Sequence, residues 1–212
     1  MGRTINTTVV GIDVGGERKG FHAVLFKDGK FLDKTTNQNP ASIVAWCLDH
    51  KASTIAVDAP CRWSKSGSSR LAERELSKQG IWCFSSPTKQ KALQRDFYKW
   101  MLSSEKLYEC LESHQFPRFD GEQTGGLMCI ETFPQAILWA MAGCVVPAKS
   151  KAKMRRKALR NKGYNISILS NIDFIDAALC AIAADKFRKN NYQSFGNREE
   201  GFIIVPAHSQ RG

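Results

Sequence analysis

Val9-Val10-Gly11-Ile12-Asp13-Val14-Gly15-Gly16, followed by Phe21 to Lys27, Asp28-Gly29 and Lys30 to Thr35, sets the architecture of this chain. Thr7 to Ile12 reads as a strand, and its β-branched run Val9, Val10 and Ile12 suits burial on both faces. It ends at Asp13, before small turn-forming residues. Asp28-Gly29 between two extended segments is a two-residue hairpin signal, so the chain opens with an antiparallel three-strand meander. Asn39-Pro40 breaks the meander, and Ala41 to His50 has helical spacing at Ile43, Val44, Trp46 and Cys47. Thr54 to Val57 is a second buried strand, ending at Asp58 and stopped by Ala59-Pro60. Leu127 to Ile130 is a third, ending at Glu131.

Helical patterns fill the intervals. Arg70 to Gln79 is a charged helix closed by Gly80. Gln90 to Ser113 is a longer amphipathic one, with Leu93, Phe97, Trp100, Met101, Leu107 and Leu111 as its inward stripe. Pro134 marks a helix start, and Ala136 to Ala142 is apolar on most faces. A basic helical stretch runs from Lys149 to Lys162. The last helix, about Asp173 to Lys189, is dense in alanine, which lets it sit close on a sheet. Phe202 to Val205 fits a final edge strand before Pro206. Strands alternating with helices give an α/β fold.

Composition narrows the class. The chain has 212 residues, 42% of them hydrophobic, with twelve Phe and five Trp, enough for one buried core and a single domain spanning 1–212. The longest uncharged stretch, Thr132 to Ala148, is interrupted by Pro134, Gly143 and Pro147, and is shorter than the ~20 apolar residues of a spanning helix. No membrane partner is expected. The N-terminus shows no apolar leader, and the seven Cys include no C-x-x-C pair. Reduced thiols in a cytoplasmic protein are the expectation, with Cys129, Cys144 and Cys180 packed in apolar runs.

Three apolar strands thus each finish on an acid: Asp13, Asp58 and Glu131. If they run parallel, the acids meet at the carboxyl edge of a sheet, where function gathers in open α/β folds. Asp173 and Asp176, three apart at the start of the last helix, add two more. Clustered carboxylates repel unless a cation neutralises them, and oxygen donors favour Mg²⁺ or Mn²⁺. Two such ions serve phosphoryl transfer. Each residue also has a plainer reading. Asp before Gly or Pro is ordinary turn chemistry, Asp173 with Asp176 fits a helix cap, and Glu131 could pair with an Arg.

Charge supplies a second signal. Between Glu131 and Asp173 there is no acid, yet Lys149, Lys151, Lys153, Arg155, Arg156, Lys157, Arg160 and Lys162 contribute +8 of the formal +11. An uncompensated basic block beside an acidic site suits a polyanion, although a solvated helix face would look the same. Arg70, Glu73, Arg74 and Glu75 read as a salt-bridged helix face.

Several motifs carry a resemblance. Gly11-Ile12-Asp13 with Lys19-Gly20-Phe21, Val57-Asp58-Ala59-Pro60, Arg70-x-x-Glu73-Arg74, Ile130-Glu131, Asp173-x-x-Asp176 and Glu200-Gly201 resemble, in order and along nearly the whole chain, the family called domain of unknown function 429, described as predicted nucleases. The resemblance implies a ribonuclease H-like fold: a mixed five-stranded sheet, antiparallel meander plus parallel strands, with helices on both faces. It implies Asp13, Asp58 and Asp176 as catalytic, metal-binding acids, with Asp173 or Glu131 assisting. Lys19, Arg70, Glu73, Arg74 and the block Lys151, Lys153, Arg155, Arg156 and Lys157 would hold substrate. The expected activity is metal-dependent phosphodiester hydrolysis on a nucleic acid, with a homodimer if the substrate is a branched junction. The alternatives are a non-catalytic nucleic-acid-binding module and a hydrolase or binder of a small phosphorylated metabolite. A sugar-kinase relative would need a second lobe, for which the chain is short.

Overall fold

Val9–Val14 forms the central strand β1 of a seven-stranded sheet in the computed structural model, which describes residues 8–16, 18–122, 125–145 and 150–208. Thr7 and Lys149 lie outside the described residues. The other strands are β2 (Phe21–Lys27), β3 (Lys30–Asn37), β4 (Thr54–Asp58), β5 (Met128–Glu131), β6 (Tyr192–Asn197) and β7 (Gly201–Pro206). Their order is β3-β2-β1-β4-β5-β7-β6. β1, β4, β5 and β7 are mutually parallel, while β2, β3 and β6 complete two antiparallel margins.

The sheet is therefore α/β and mixed, as expected, with seven strands rather than five. Phe202 to Val205 is not an edge. The edge is β6, whose half-buried Tyr-Gln-Ser-Phe-Gly-Asn offers little hydrophobic periodicity. Its turn into β7 closes through Asn197, whose Oδ1 accepts from the Glu200 N–H at 2.8 Å.

Helices α1 (Pro40–Asp49), α2 (Leu71–Lys78), α3 (Lys89–Leu93), α4 (Lys99–Ser113), α5 (Pro134–Ala142), α6 (Lys151–Asn161) and α7 (Ile172–Arg188) cover the sheet. Ile43, Val44 and Cys47 of α1 and Leu107, Tyr108 and Leu111 of α4 pack with Val10, Ile12, Ile55 and Val57 on one face. α7 packs with Val9, Val24, Ala56, Ile130 and Ile204 on the other. The alanines of α7 do what their size allows. At Gly11 an added Cβ would lie 2.0 Å from the Ala177 carbonyl oxygen, so strand and helix backbones meet there with no room for a side chain.

The long helix expected from Gln90 to Ser113 is broken. Arg95 is extended, with φ −139° and ψ 124°, and a 3₁₀ turn at Asp96–Tyr98 precedes α4. Spacing alone carries the apolar pattern across such a break. Leu93 and Phe97 consequently face solvent instead of the core, at 64% and 56% exposure. All seven cysteines are free, and Cys144 is exposed rather than buried in its apolar run. Among the described residues no helix is long and apolar enough to cross a membrane.

Candidate functional site

Strand register sorts the three terminal acids. Asp13 of β1 pairs laterally with Asp58 of β4, but Glu131 of β5 pairs with Val57. Side chains alternate faces along a strand, so an offset of one residue sends Glu131 to the opposite face from Asp13 and Asp58. The face of Asp13 and Asp58 is the one α7 covers, and α7 brings Asp176 to them. Among the described residues these three carboxylates place ligand oxygens within 4.8 Å of one another.

Electrostatically the cluster is under-neutralised. Burial first, then the charges of Asp176 and Asp173, push the Asp13 carboxyl up to about 7. Burial with Asp13 and Asp176 beside it raises Asp58 well above the ordinary carboxylate range. Asp176 is also raised, chiefly by burial, even though the buried Arg155 donates a hydrogen bond to its Oδ1. Oxygen-only donors at this spacing, short of positive charge, are what a hard divalent cation requires, so the residues fit the expected Mg²⁺ or Mn²⁺.

Asp173 stands to one side. The cap of α7 is Asn171, whose side chain accepts from the Phe174 N–H, so Asp173 and Asp176 do not form the expected cap. Asp173 instead accepts from Lys19 Nζ at 3.0 Å. Lys19 is held by a tight loop, in which Gly15 N–H donates to the Gly20 carbonyl at 2.8 Å and Gly20 takes φ +67°. His22, which the sequence reading leaves unassigned, is a further neighbour. It lies opposite Asp13 in the β1–β2 register, is buried, and places Nε2 3.9 Å from Asp173. Only the hairpin register brings it there.

Glu131 meets an Arg, the plainer of its two readings. Arg70 Nη1 and Nη2 reach its two oxygens at 2.7 and 2.5 Å, and the Cys61 N–H donates to the same carboxylate at 2.7 Å. Arg70 Nε also binds Glu73 at 2.9 Å, the expected i,i+3 pair, and Glu73 accepts from the backbone of Arg70 and Ser86. Glu200 takes the N–H groups of Lys65 and Leu71, capping this region from the turn before β7. Arg70 is 1% exposed. The network ties the turn after Asp58 to α2 and β5, so Arg70, Glu73 and Glu131 engage one another rather than standing open for substrate.

Both groups border one cavity of about 420 Å³. Lys19, Lys151 and Arg155 also line it, as do Phe84 and Trp100. Lys151, Lys153 and Lys157 are exposed on α6. Arg156 instead donates to the Leu169 and Ser170 carbonyls at 3.0 and 3.2 Å, and Arg74 to the Ser69 carbonyl at 2.5 Å. The expected basic surface is thus divided between side chains in solvent and side chains that fasten the fold.

A family model described as "Protein of unknown function (DUF429)" matches residues 11–201. The chain belongs to this family. No curated protein and no solved structure gives a significant match. In this DUF429 chain the matched span holds both acid groups, the Gly15–Gly20 loop and the whole of α6 and α7. The family is thereby fixed, while the chemistry rests on the geometry of the cavity.

Proposed function

We propose that this DUF429 protein hydrolyses phosphodiester bonds of a nucleic acid, using divalent cations, Mg²⁺ or Mn²⁺, held by Asp13, Asp58 and Asp176. The observation that carries this reading is the cluster of three carboxylates, oxygens within 4.8 Å, at a cavity that also presents Lys19 and Lys151. When bound, such cations polarise phosphoryl oxygens and ease deprotonation of an attacking water. The chain's own residues do the rest. Arg155 lessens the repulsion within the cluster by binding Asp176. Asp173 holds the Lys19 ammonium at the cavity wall, where it meets a phosphate oxygen. The exposed Lys151, Lys153 and Lys157 extend that attraction along the backbone of a polyanion. Glu131, through Cys61 and Arg70, fixes the turn that follows Asp58 and so positions that carboxylate.

Incubation of wild type, Asp13→Asn and Asp58→Asn with single- and double-stranded DNA, RNA, hybrid and four-way-junction substrates tests this. Cleavage is expected only with Mg²⁺ or Mn²⁺ and only for the wild type. Absence of cleavage across the panel, or cleavage that survives both substitutions, overturns it.

A further inference from the structure

Large aromatic side chains are ordinarily buried, because each removes extensive apolar surface from water. Here three stand in solvent on one segment between α2 and α4. Trp82 is 78% exposed, Phe84 65% and Phe97 56%. Phe84 and Phe97 touch edge to face, with centroids 5.6 Å apart, and Phe84 lies 6.3 Å from the Trp100 ring. Phe84, Phe97 and Trp100 are therefore a preassembled patch rather than scattered residues. It is also continuous with the site, since Phe84 and Trp100 line the cavity that holds Asp13, Asp58 and Asp176. Lys19 and Lys151 line the same space, so aromatic rings, ammonium groups and the acid cluster all border it.

That combination selects among polyanions. An aromatic platform beside a cationic wall binds a strand whose bases present free π-faces while its phosphates meet the lysines. Bases inside a duplex are already stacked on one another and offer only their edges in the grooves. Resting on the phosphodiester reading of the acid cluster, we infer that Phe84, Phe97 and Trp100 form a base-stacking subsite, and that the substrate is an unpaired, single-stranded segment of nucleic acid. One base lies on the Phe84 platform and an adjoining phosphate faces the carboxylates. The platform reads no base edge, so the subsite accepts different bases.

The test is binding of short labelled oligonucleotides to Asp58→Asn protein, which keeps the strands whole whatever the acid cluster does. Four probes are compared: single-stranded DNA, single-stranded RNA, the matching duplex and an abasic strand with the same phosphates. Single strands are expected to quench tryptophan fluorescence and to bind at least about tenfold tighter than duplex or abasic strands. Phe84→Ala and Phe97→Ala, at exposed positions that leave folding intact, each weaken single-strand binding about tenfold without changing its salt dependence. The DNA and RNA arms tell which backbone is preferred. Equal affinity for abasic and normal strands, preference for duplex, wild-type affinity in both Phe variants, or no binding of any strand overturns the inference. Cleavage by the wild type is scored separately. Its absence alongside base-dependent binding would refute hydrolysis and leave the stacking subsite standing.

Discussion

Two groups of buried and half-buried carboxylates border one cavity, and they differ in what their oxygens touch. Glu73 and Glu131 close around Arg70 and accept further bonds from the Cys61, Arg70 and Ser86 backbone. Asp13, Asp58 and Asp176 crowd one another, with the single guanidinium of Arg155 on Asp176. Burial raises the carboxyl pKa in the second group, while Glu200, beside the first, is lowered, its backbone donors outweighing burial. Acids that have found their counter-charge inside the protein are structural. Acids that repel one another are, on the proposed reading, the ones that would take a cation from outside. Neighbouring strands carry both kinds, and a one-residue register offset separates them.

The sharpest way to break this contrast is Arg70→Met. It leaves Glu73 and Glu131 buried without their cation, and removal of one partner from a buried pair costs about 3–5 kcal/mol. Urea unfolding should show a loss of that size. A cost below about 1 kcal/mol would mean that the network does not hold the Asp58 turn. Gly11→Ala comes next. Its methyl group would meet the Ala177 carbonyl at 2.0 Å, so α7 must retreat from β1. A loss of about 1–3 kcal/mol is expected. The same retreat carries Asp176 away from Asp13, so the midpoint for Mg²⁺-dependent stabilisation should rise with it.

How much of this could be read from residues follows the same division. The acids at strand ends were legible because strand, acid and breaker follow one another in Ile12-Asp13, Val57-Asp58 and Ile130-Glu131. Their partition was not, because period-2 alternation says which residues share a face within a strand, not how strands are offset from one another. The close seat of α7 was legible in its alanines. The fate of the basic helix was not, since Arg155 and Arg156 look like Lys153 and Lys157 in sequence and differ only in which way α6 turns them. β6 escaped because an edge strand of mixed polarity need not alternate. The break at Arg95 escaped because helical spacing persists on both sides of it, and with it went the exposure of Phe97.

A smaller effect sharpens the contrast through pH. Asp13 titrates near 7 when folded against its ordinary value of 3.8, so the folded state holds a proton that the unfolded chain has lost. Stability without divalent cations should therefore decline as pH rises between those values, and the full penalty applies above 7. Glu200 works in the opposite sense but only as pH falls toward the acid range, since its folded value lies below 4.5. Between pH 5.5 and 8 the decline belongs to the Asp13 cluster. At the lower end it is opposed by His22, whose pKa burial lowers from 6.5, so that its contribution rises with pH there. Asp13→Asn should lessen the decline, leaving the part that burial of Asp58 and Asp176 contributes, and stabilise the cation-free protein at pH 8 by on the order of 1–2 kcal/mol. Mg²⁺ or Mn²⁺ at pH 8 should raise the Tm of the wild type and leave that of Asp13→Asn unchanged. A wild type whose stability is level across this window, or a variant that gains from the metal equally, would show that the cluster is not electrostatically stressed.

The smallest expected effect concerns Asp173, which the comparison leaves between the two groups. Its partner Lys19 is 59% exposed, so the ion pair lies in a largely aqueous setting and is worth about 1 kcal/mol or less. Lys19→Ala should hardly move the urea midpoint. Its consequence lies elsewhere, because the lysine lowers the Asp13 pKa and an uncovered Asp173 adds one more unscreened charge to the cluster. The variant should therefore bind divalent cations more tightly than the wild type, while losing affinity for an oligonucleotide whose phosphate the ammonium meets. Opposite changes in the two affinities would place Asp173 with the acids that await a cation. If both fell together, the Lys19–Asp173 pair would belong with Arg70 and Glu131, as a fastening of the Gly15–Gly20 loop to α7.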